Sequence, residues 1–121
     1  MEVPGKRYRV ILEYNTPYPD SIIFHKGEKV LVGNEFAEDP DWKDWVWCEG
    51  ECGNKAWAPK QYLKTEADSG MFLIDYNARE LNVMVGEVII VYEIVNGFAM
   101  SENQNGERGW IPLKNLQADA T

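Results

Sequence analysis

Short apolar runs alternate along this chain with polar stretches rich in glycine, proline and asparagine. Val30-Leu31-Val32 and Val88-Ile89-Ile90-Val91 are β-branched runs bounded by glycine, the composition of strands. Trp45-Val46-Trp47-Cys48 is short and aromatic, and also reads as a strand. No segment sustains the i, i+3, i+4, i+7 apolar stripe of a helix. Turn chemistry is frequent: Thr16-Pro17-Tyr18-Pro19-Asp20, then residues 34–44, 50–54 and 103–106. Strands this short with turns this close predict small β-barrels, an all-β chain.

The pattern occurs twice. Val10-Ile11-Leu12-Glu13-Tyr14-Asn15 has its counterpart in Phe72-Leu73-Ile74-Asp75-Tyr76-Asn77. Phe24 stands three residues before Gly27-Glu28, and Val83 three before Gly86-Glu87. Trp57-Ala58-Pro59 closes the first half and Trp110-Ile111-Pro112 the second. A shared order of landmarks predicts two copies of one small fold. The boundaries follow: a first domain over 1–65, a polar linker over 66–70, a second domain over 71–121. Period-two alternation predicts an inward set of Val10, Ile22, Phe24, Val30, Val32, Cys48, Ala58 and Leu63 in the first copy. Its counterpart is Phe72, Leu81, Val83, Ile89, Val91, Ser101, Ile111 and Leu116.

These landmarks resemble the SH3 domain family in tandem. The resemblance lies in Tyr14, the segment Ile22–Glu28, Trp45 and the closing Ala56–Leu63, then in Tyr76, Leu81–Glu87, Phe98 and Gly109–Leu116. It implies two five-stranded SH3-like barrels, and a protein-interaction function without catalysis. It further implies an aromatic groove for a polyproline II segment, which is already extended and therefore costs little ordering entropy to bind. The groove residues carried over to the first half are Tyr14, Trp45, Trp57, Pro59 and Tyr62. The remnant in the second half is Tyr76, Phe98, Trp110 and Pro112. The second half departs more: it has Phe98 for the strand tryptophan, Asn115 for the closing tyrosine, and a shorter first loop. It is therefore expected to be structural support or to take a non-proline ligand. Trp57 and Trp110 remain open between groove and core, since large aromatics serve both uses.

Charge narrows the partners. The net charge is −8, with 12 basic and 20 acidic side chains, so neither half has the footprint that phosphate-backbone binding requires. Acidic excess favours cationic partners instead. Asp20, Glu38, Asp39, Asp41 and Asp44 are candidates for selecting an arginine or lysine beside the prolines; a solvated acidic loop without a partner is the other reading. Cys48 and Cys52 with the single His25 fall short of a closed zinc site, so no metal or cofactor is expected. Without a phosphate-cradling glycine loop or a paired buried acid, the chain reads as non-enzymatic. The absence of a signal core or a long apolar run predicts a cytoplasmic location and no membrane span. The reading is thus a module whose first domain binds a proline-rich or extended segment of another protein. The rival is a structural, self-associating tandem with no peptide ligand.

Overall fold

The computed structural model describes residues 5–37 and 39–119. Among them there is no α-helix. Twelve strands are joined by turns and three single 3-10 turns, at Pro40–Trp42, Lys60–Tyr62 and Leu113–Asn115. The strands are β1 (Lys6–Val10), β2 (Ile23–Phe24), β3 (Lys29–Glu35), β4 (Trp45–Gly50), β5 (Lys55–Pro59), β6 (Leu63–Glu66), β7 (Ser69–Phe72), β8 (Tyr76–Asn77), β9 (Val88–Val95), β10 (Phe98–Glu102), β11 (Arg108–Pro112) and β12 (Leu116–Ala118). They form two five-stranded antiparallel sheets of equivalent design, ordered β5-β4-β3-β7-β6 and β11-β10-β9-β1-β12, and a small β2–β8 pair. The fold is all-β, as the hydropathy pattern predicts.

The compact units are not the two sequence halves. One, the central unit, is Ser21–Ala78; the other, the split unit, is Met1–Asp20 with Arg79–Thr121. Each repeat gives its opening strand to the sheet of the other. β1 lies between β9 and β12, with Tyr8 opposite Ile89 and Ala118. β7 lies between β3 and β6, with Gly70 opposite Val30 and Thr65. Residues 66–70, read from sequence as a linker, contribute instead to a hairpin. Glu66 pairs with Ser69, and Ala67 turns the chain at φ 55°. The physical reason lies in the register: once β6 and β7 pair, nothing between them is left to span a gap.

The turns explain the repeated glycine-glutamate pair. Gly27 and Gly86 sit at φ 85° and 96°, where a side chain is disfavoured. The glutamate that follows each one accepts from the backbone N–H three residues earlier, His25 to Glu28 at 3.0 Å and Met84 to Glu87 at 2.8 Å. The inward sets are buried except for Ile22 and Val32, which are half-buried. Strand exchange redistributes two members. Val10 joins Leu81, Val83, Ile89, Val91, Ala99, Ile111 and Leu116 in an aliphatic core. Phe72 stacks on Phe24 in the central unit, with ring centroids 4.6 Å apart, and Tyr76 stacks on Phe72 at 5.7 Å.

Candidate binding surface

The exchange divides the groove expected from sequence. Tyr14 lies in the split unit, whereas Trp45, Trp57, Pro59 and Tyr62 lie in the central unit. The tyrosine that joins these four is Tyr76, whose ring meets that of Tyr62 edge-on at 5.7 Å. The Tyr76 hydroxyl donates to the Trp57 carbonyl at 2.7 Å. The inward Ala58 places Trp57 and Pro59 together on the outer side of β5, as alternation predicts. Trp45, opposite Pro59, is on that side too, yet it is only 6% exposed and Pro59 is among the fully buried side chains. The slots expected at these two residues are closed in this structure. Trp57 and Tyr62 stay half-buried.

An aromatic group not foreseen from sequence surrounds Trp57. Trp47 stands directly across from it on β4, with centroids 5.3 Å apart and the rings at 70°. Phe36 meets Trp57 edge-on at 5.2 Å, and Trp42 meets Phe36 at 6.0 Å. The loop following β3 carries Phe36 and Trp42 onto the sheet. Asp39 stabilises it by accepting from the Asp41 N–H at 2.9 Å at the head of the Pro40–Trp42 turn. The signal in the sequence was the period-two pair Trp47 and Trp45, together with two aromatics set among acids.

The acids divide by role. Asp39 caps the turn. Lys60 Nζ donates to Glu35 at 2.7 Å and lies 3.9 Å from Asp44. The Lys60 hydrogen bond holds the Glu35 carboxyl below its ordinary range. Asp41 is exposed, and Asp20 is exposed in the split unit. Glu38 lies outside the described residues. On the outer face, Glu49 accepts from Trp47 Nε1 at 3.3 Å and pairs with Lys55 at 3.8 Å.

The corresponding region of the split unit is closed. Phe98 and Trp110 are 6% and 2% exposed, and Pro112 is fully buried. Asn115 stands where the central unit has Tyr62; its Nδ2 donates to the carbonyls of Leu12 and Glu13, each at 3.1 Å. The Tyr14 hydroxyl donates to Glu80 at 2.5 Å and that of Thr16 to the same oxygen at 2.6 Å. Burial pushes both Tyr14 and Glu80 above their ordinary pKa values.

The cysteines take the places expected of them. Cys48 is in the core, where burial pushes its thiol to about 12, and Cys52 is exposed in the β4–β5 turn. Among the described residues no three metal-ligating side chains gather into a group, and no helix is long and apolar enough to cross a membrane.

The variant SH3 domain family matches the chain twice, over residues 7–66 and 73–119. The chain belongs to this family. Its two repeats are SH3-like domains in tandem, and the matches follow the order of the sequence, while the compact units exchange opening strands. No curated protein and no solved structure matches the chain. SH3 domains are generally interaction modules that bind peptides of other proteins and are typically non-catalytic.

Proposed function

We propose that this chain is a cytoplasmic, non-enzymatic interaction module whose central unit binds an extended, proline-containing segment of another protein, with arginine or lysine beside the prolines. The observation that carries this is the connected aromatic group Phe36, Trp42, Trp47 and Trp57, on the outer side of β4–β5 and the loop before it. Between Glu35 and Glu51 the chain carries seven carboxylates and one lysine, Lys43. Flat rings with polar edges beside an acidic field suit a stiff, positively flanked peptide. The split unit acts as structural support: Asn115 braces the opening loop in place of a closing tyrosine.

A peptide array at moderate salt, read with the full chain, tests this. Proline-containing peptides with basic flanks should bind, and Trp57→Ala should weaken them about tenfold or more. Uniform failure across the array sinks the proposal. The burial of Trp45, Pro59, Phe98, Trp110 and Pro112 favours a second reading, a structural tandem that self-associates. Sedimentation over a range of concentrations separates the two, because only self-association gives a mass that rises with concentration.

A further inference from the structure

The outer faces of the two sheets carry equivalent rows of side chains that cross all five strands. In the central unit the row is Glu66, Ser69, Leu31, Glu49 and Lys55, in the order β6-β7-β3-β4-β5. In the split unit it is Asp119, Arg7, Ile90, Glu102 and Arg108, where Asp119 directly follows β12 and the others lie on β1, β9, β10 and β11. The Asp119 N–H donates to the Arg7 carbonyl at 3.0 Å, and its carboxylate lies 3.3 Å from Arg7 Nε. Alternation turns both rows outward, since Val30, Cys48, Ile89 and Ser101 beside them along the strands are buried. Both rows are open to a partner. Leu31 is 62% exposed, and the side chains of Arg7 and Arg108 are 53% and 47% exposed.

The rows share an aliphatic centre and differ in charge. Leu31 has Glu49 on the next strand and Glu66 two strands away on the other side. Ile90 has Arg7 on the next strand and Arg108 two strands away on the other side. The central face of one copy can be laid on the split-unit face of a second copy with the strand orders matched or reversed. Matched order sets Glu66 on Asp119, Glu49 on Glu102 and Lys55 on Arg108, three pairs of like charge. Reversed order sets Glu49 on Arg7, Glu66 on Arg108 and Lys55 on Asp119, three pairs of opposite charge around Leu31 on Ile90. Juxtaposed like charges are costly, so the charge pattern accepts one arrangement and rejects the other. Shape agrees with charge. In reversed order β3 and β9 run parallel, and Tyr92, two residues beyond Ile90, falls on Gly33, two residues beyond Leu31. Gly33 offers no side chain to obstruct the ring.

We infer that the outer face of the central sheet binds the outer face of the split-unit sheet of a second copy, in reversed strand order, with Leu31 on Ile90. This rests on the self-association reading above, not on peptide recognition, and adds the two surfaces and their orientation. Stacked sheets twist relative to each other, so the central pairs carry most of the contact. The surfaces are unlike, so a copy engaged through one still offers the other. The assembly closes into a ring or continues as a chain.

The test is sedimentation of the full chain over a range of concentrations. Each copy has a net charge of −8, so the measurement is made at about 0.15 M salt, which confines electrostatics to roughly 8 Å. Leu31→Lys places a cation against Ile90 and Arg7, and Ile90→Glu places an acid against Leu31 and Glu49. Each variant alone should associate about tenfold or more weakly. An equal mixture should recover, because Lys at 31 meets Glu at 90 in one pairing of copies and the other pairing is native. Within its own chain each new charge lies among opposite charges, so folding is undisturbed, and an unchanged amide spectrum checks this. Glu66→Lys decides the orientation: it should weaken association about threefold if it faces Arg108 and tighten it if it faces Asp119. Tightening, or a mixture no stronger than its components, overturns the inference. Association that rises with concentration but ignores all three substitutions overturns it while the self-association reading stands. A monomer at every concentration sinks both.

Discussion

At the closing position of the sheet the central unit has Tyr62 and the split unit has Asn115, and the surroundings differ accordingly. Tyr62 presents a ring to Tyr76, while Asn115 is 3% exposed and gives its amide to two carbonyls of the opening loop. Between their second and third long strands, the split unit turns through Asn96-Gly97, both at positive φ, and the central unit inserts the loop that brings in Phe36 and Trp42. The cores differ as well: stacked rings of Phe24, Phe72 and Tyr76 in one, aliphatic side chains in the other. One family frame is thus spent on an aromatic surface in one unit and on internal bracing in the other.

The comparison also shows why the opening strands are not interchangeable. Gly70 on β7 and Tyr8 on β1 hold the same place in their sheets. A Cβ at Gly70 would come within 2.9 Å of Val32 Cγ2, so the larger Tyr8 side chain cannot replace it without moving Val32. Tyr8 instead lies opposite Ala118 and packs against the aliphatic core. The next inward position repeats the discrimination. Phe72 completes a ring stack that Val10 cannot make, and Phe72 in place of Val10 would overfill the aliphatic core.

The largest expected effect comes from removing that ring. Phe72→Ala should cost about 3–5 kcal/mol, the usual range for emptying a fully buried phenylalanine site. The unit that suffers reports the exchange. Four tryptophans, Trp42, Trp45, Trp47 and Trp57, belong to the central unit and only Trp110 to the split one. Their indole signals should be disturbed while Trp110 stays native, and Val10→Ala should do the reverse. If Phe72→Ala disturbs Trp110 alone, each repeat keeps its own opening strand and the exchange is wrong.

Much of the frame is legible in the sequence because it is local. Alternation around Ala58 and Ser101 identifies the inward faces, and the Gly-Glu pairs mark turns whose geometry needs both residues. The exchange is not legible. Tyr14 and Tyr76 carry identical landmarks, and a period of two says which face a residue takes, not which sheet it joins. The decision rests on fit between distant side chains, Gly70 against Val32 and Phe72 against Phe24. Trp45 teaches a related lesson. Alternation puts it on the outer side of β4, but its 6% exposure depends on what packs there, which strand periodicity does not encode.

A smaller effect should come from Asn115. Asn115→Ala removes both amide bonds and leaves the carbonyls of Leu12 and Glu13 without that donor, a loss of about 1–3 kcal/mol. Asn115→Tyr, which restores the residue of the other repeat, should also destabilise, because the position is buried and already filled. Chemical denaturation of the two variants checks this. A more stable Asn115→Tyr would mean that the split unit has kept room for an aromatic slot.

Glu80 separates the units by pH. Its counterpart in the central unit is Ser21, which accepts from Asn77 and carries no charge. Burial raises the Glu80 carboxyl above its ordinary range, so the folded chain binds that proton more tightly than the unfolded chain does. The resulting stability is present at low pH and is lost as pH rises through the folded value. At pH 7 ionisation of Glu80 therefore opposes folding. Glu80→Gln keeps an oxygen for the Tyr14 and Thr16 hydroxyls and removes the titration. It should melt higher at pH 7, and its advantage should shrink as pH falls through the carboxylate range. An advantage that grows on acidification would show that the two hydroxyl donors outweigh burial.

The smallest effect addresses the connection read from sequence as a linker. Ala67 holds φ 55° in the turn joining β6 and β7, a conformation that costs an alanine roughly 1 kcal/mol through its Cβ. Ser69 Oγ donates to the Glu66 carbonyl at 3.0 Å and the Val32 N–H to the Asp68 carbonyl at 2.7 Å, so the turn is held from both sides. In such a turn glycine relieves the strain by more than it gains in unfolded-state freedom. Ala67→Gly should therefore raise stability by about 0.5 kcal/mol. An extended linker makes the opposite demand: glycine adds only freedom to the unfolded chain, and the substitution should be neutral or slightly destabilising. The sign of the change in denaturation midpoint, at unchanged slope, thus distinguishes a hairpin that commits β7 to the central unit from a spacer between two contiguous repeats.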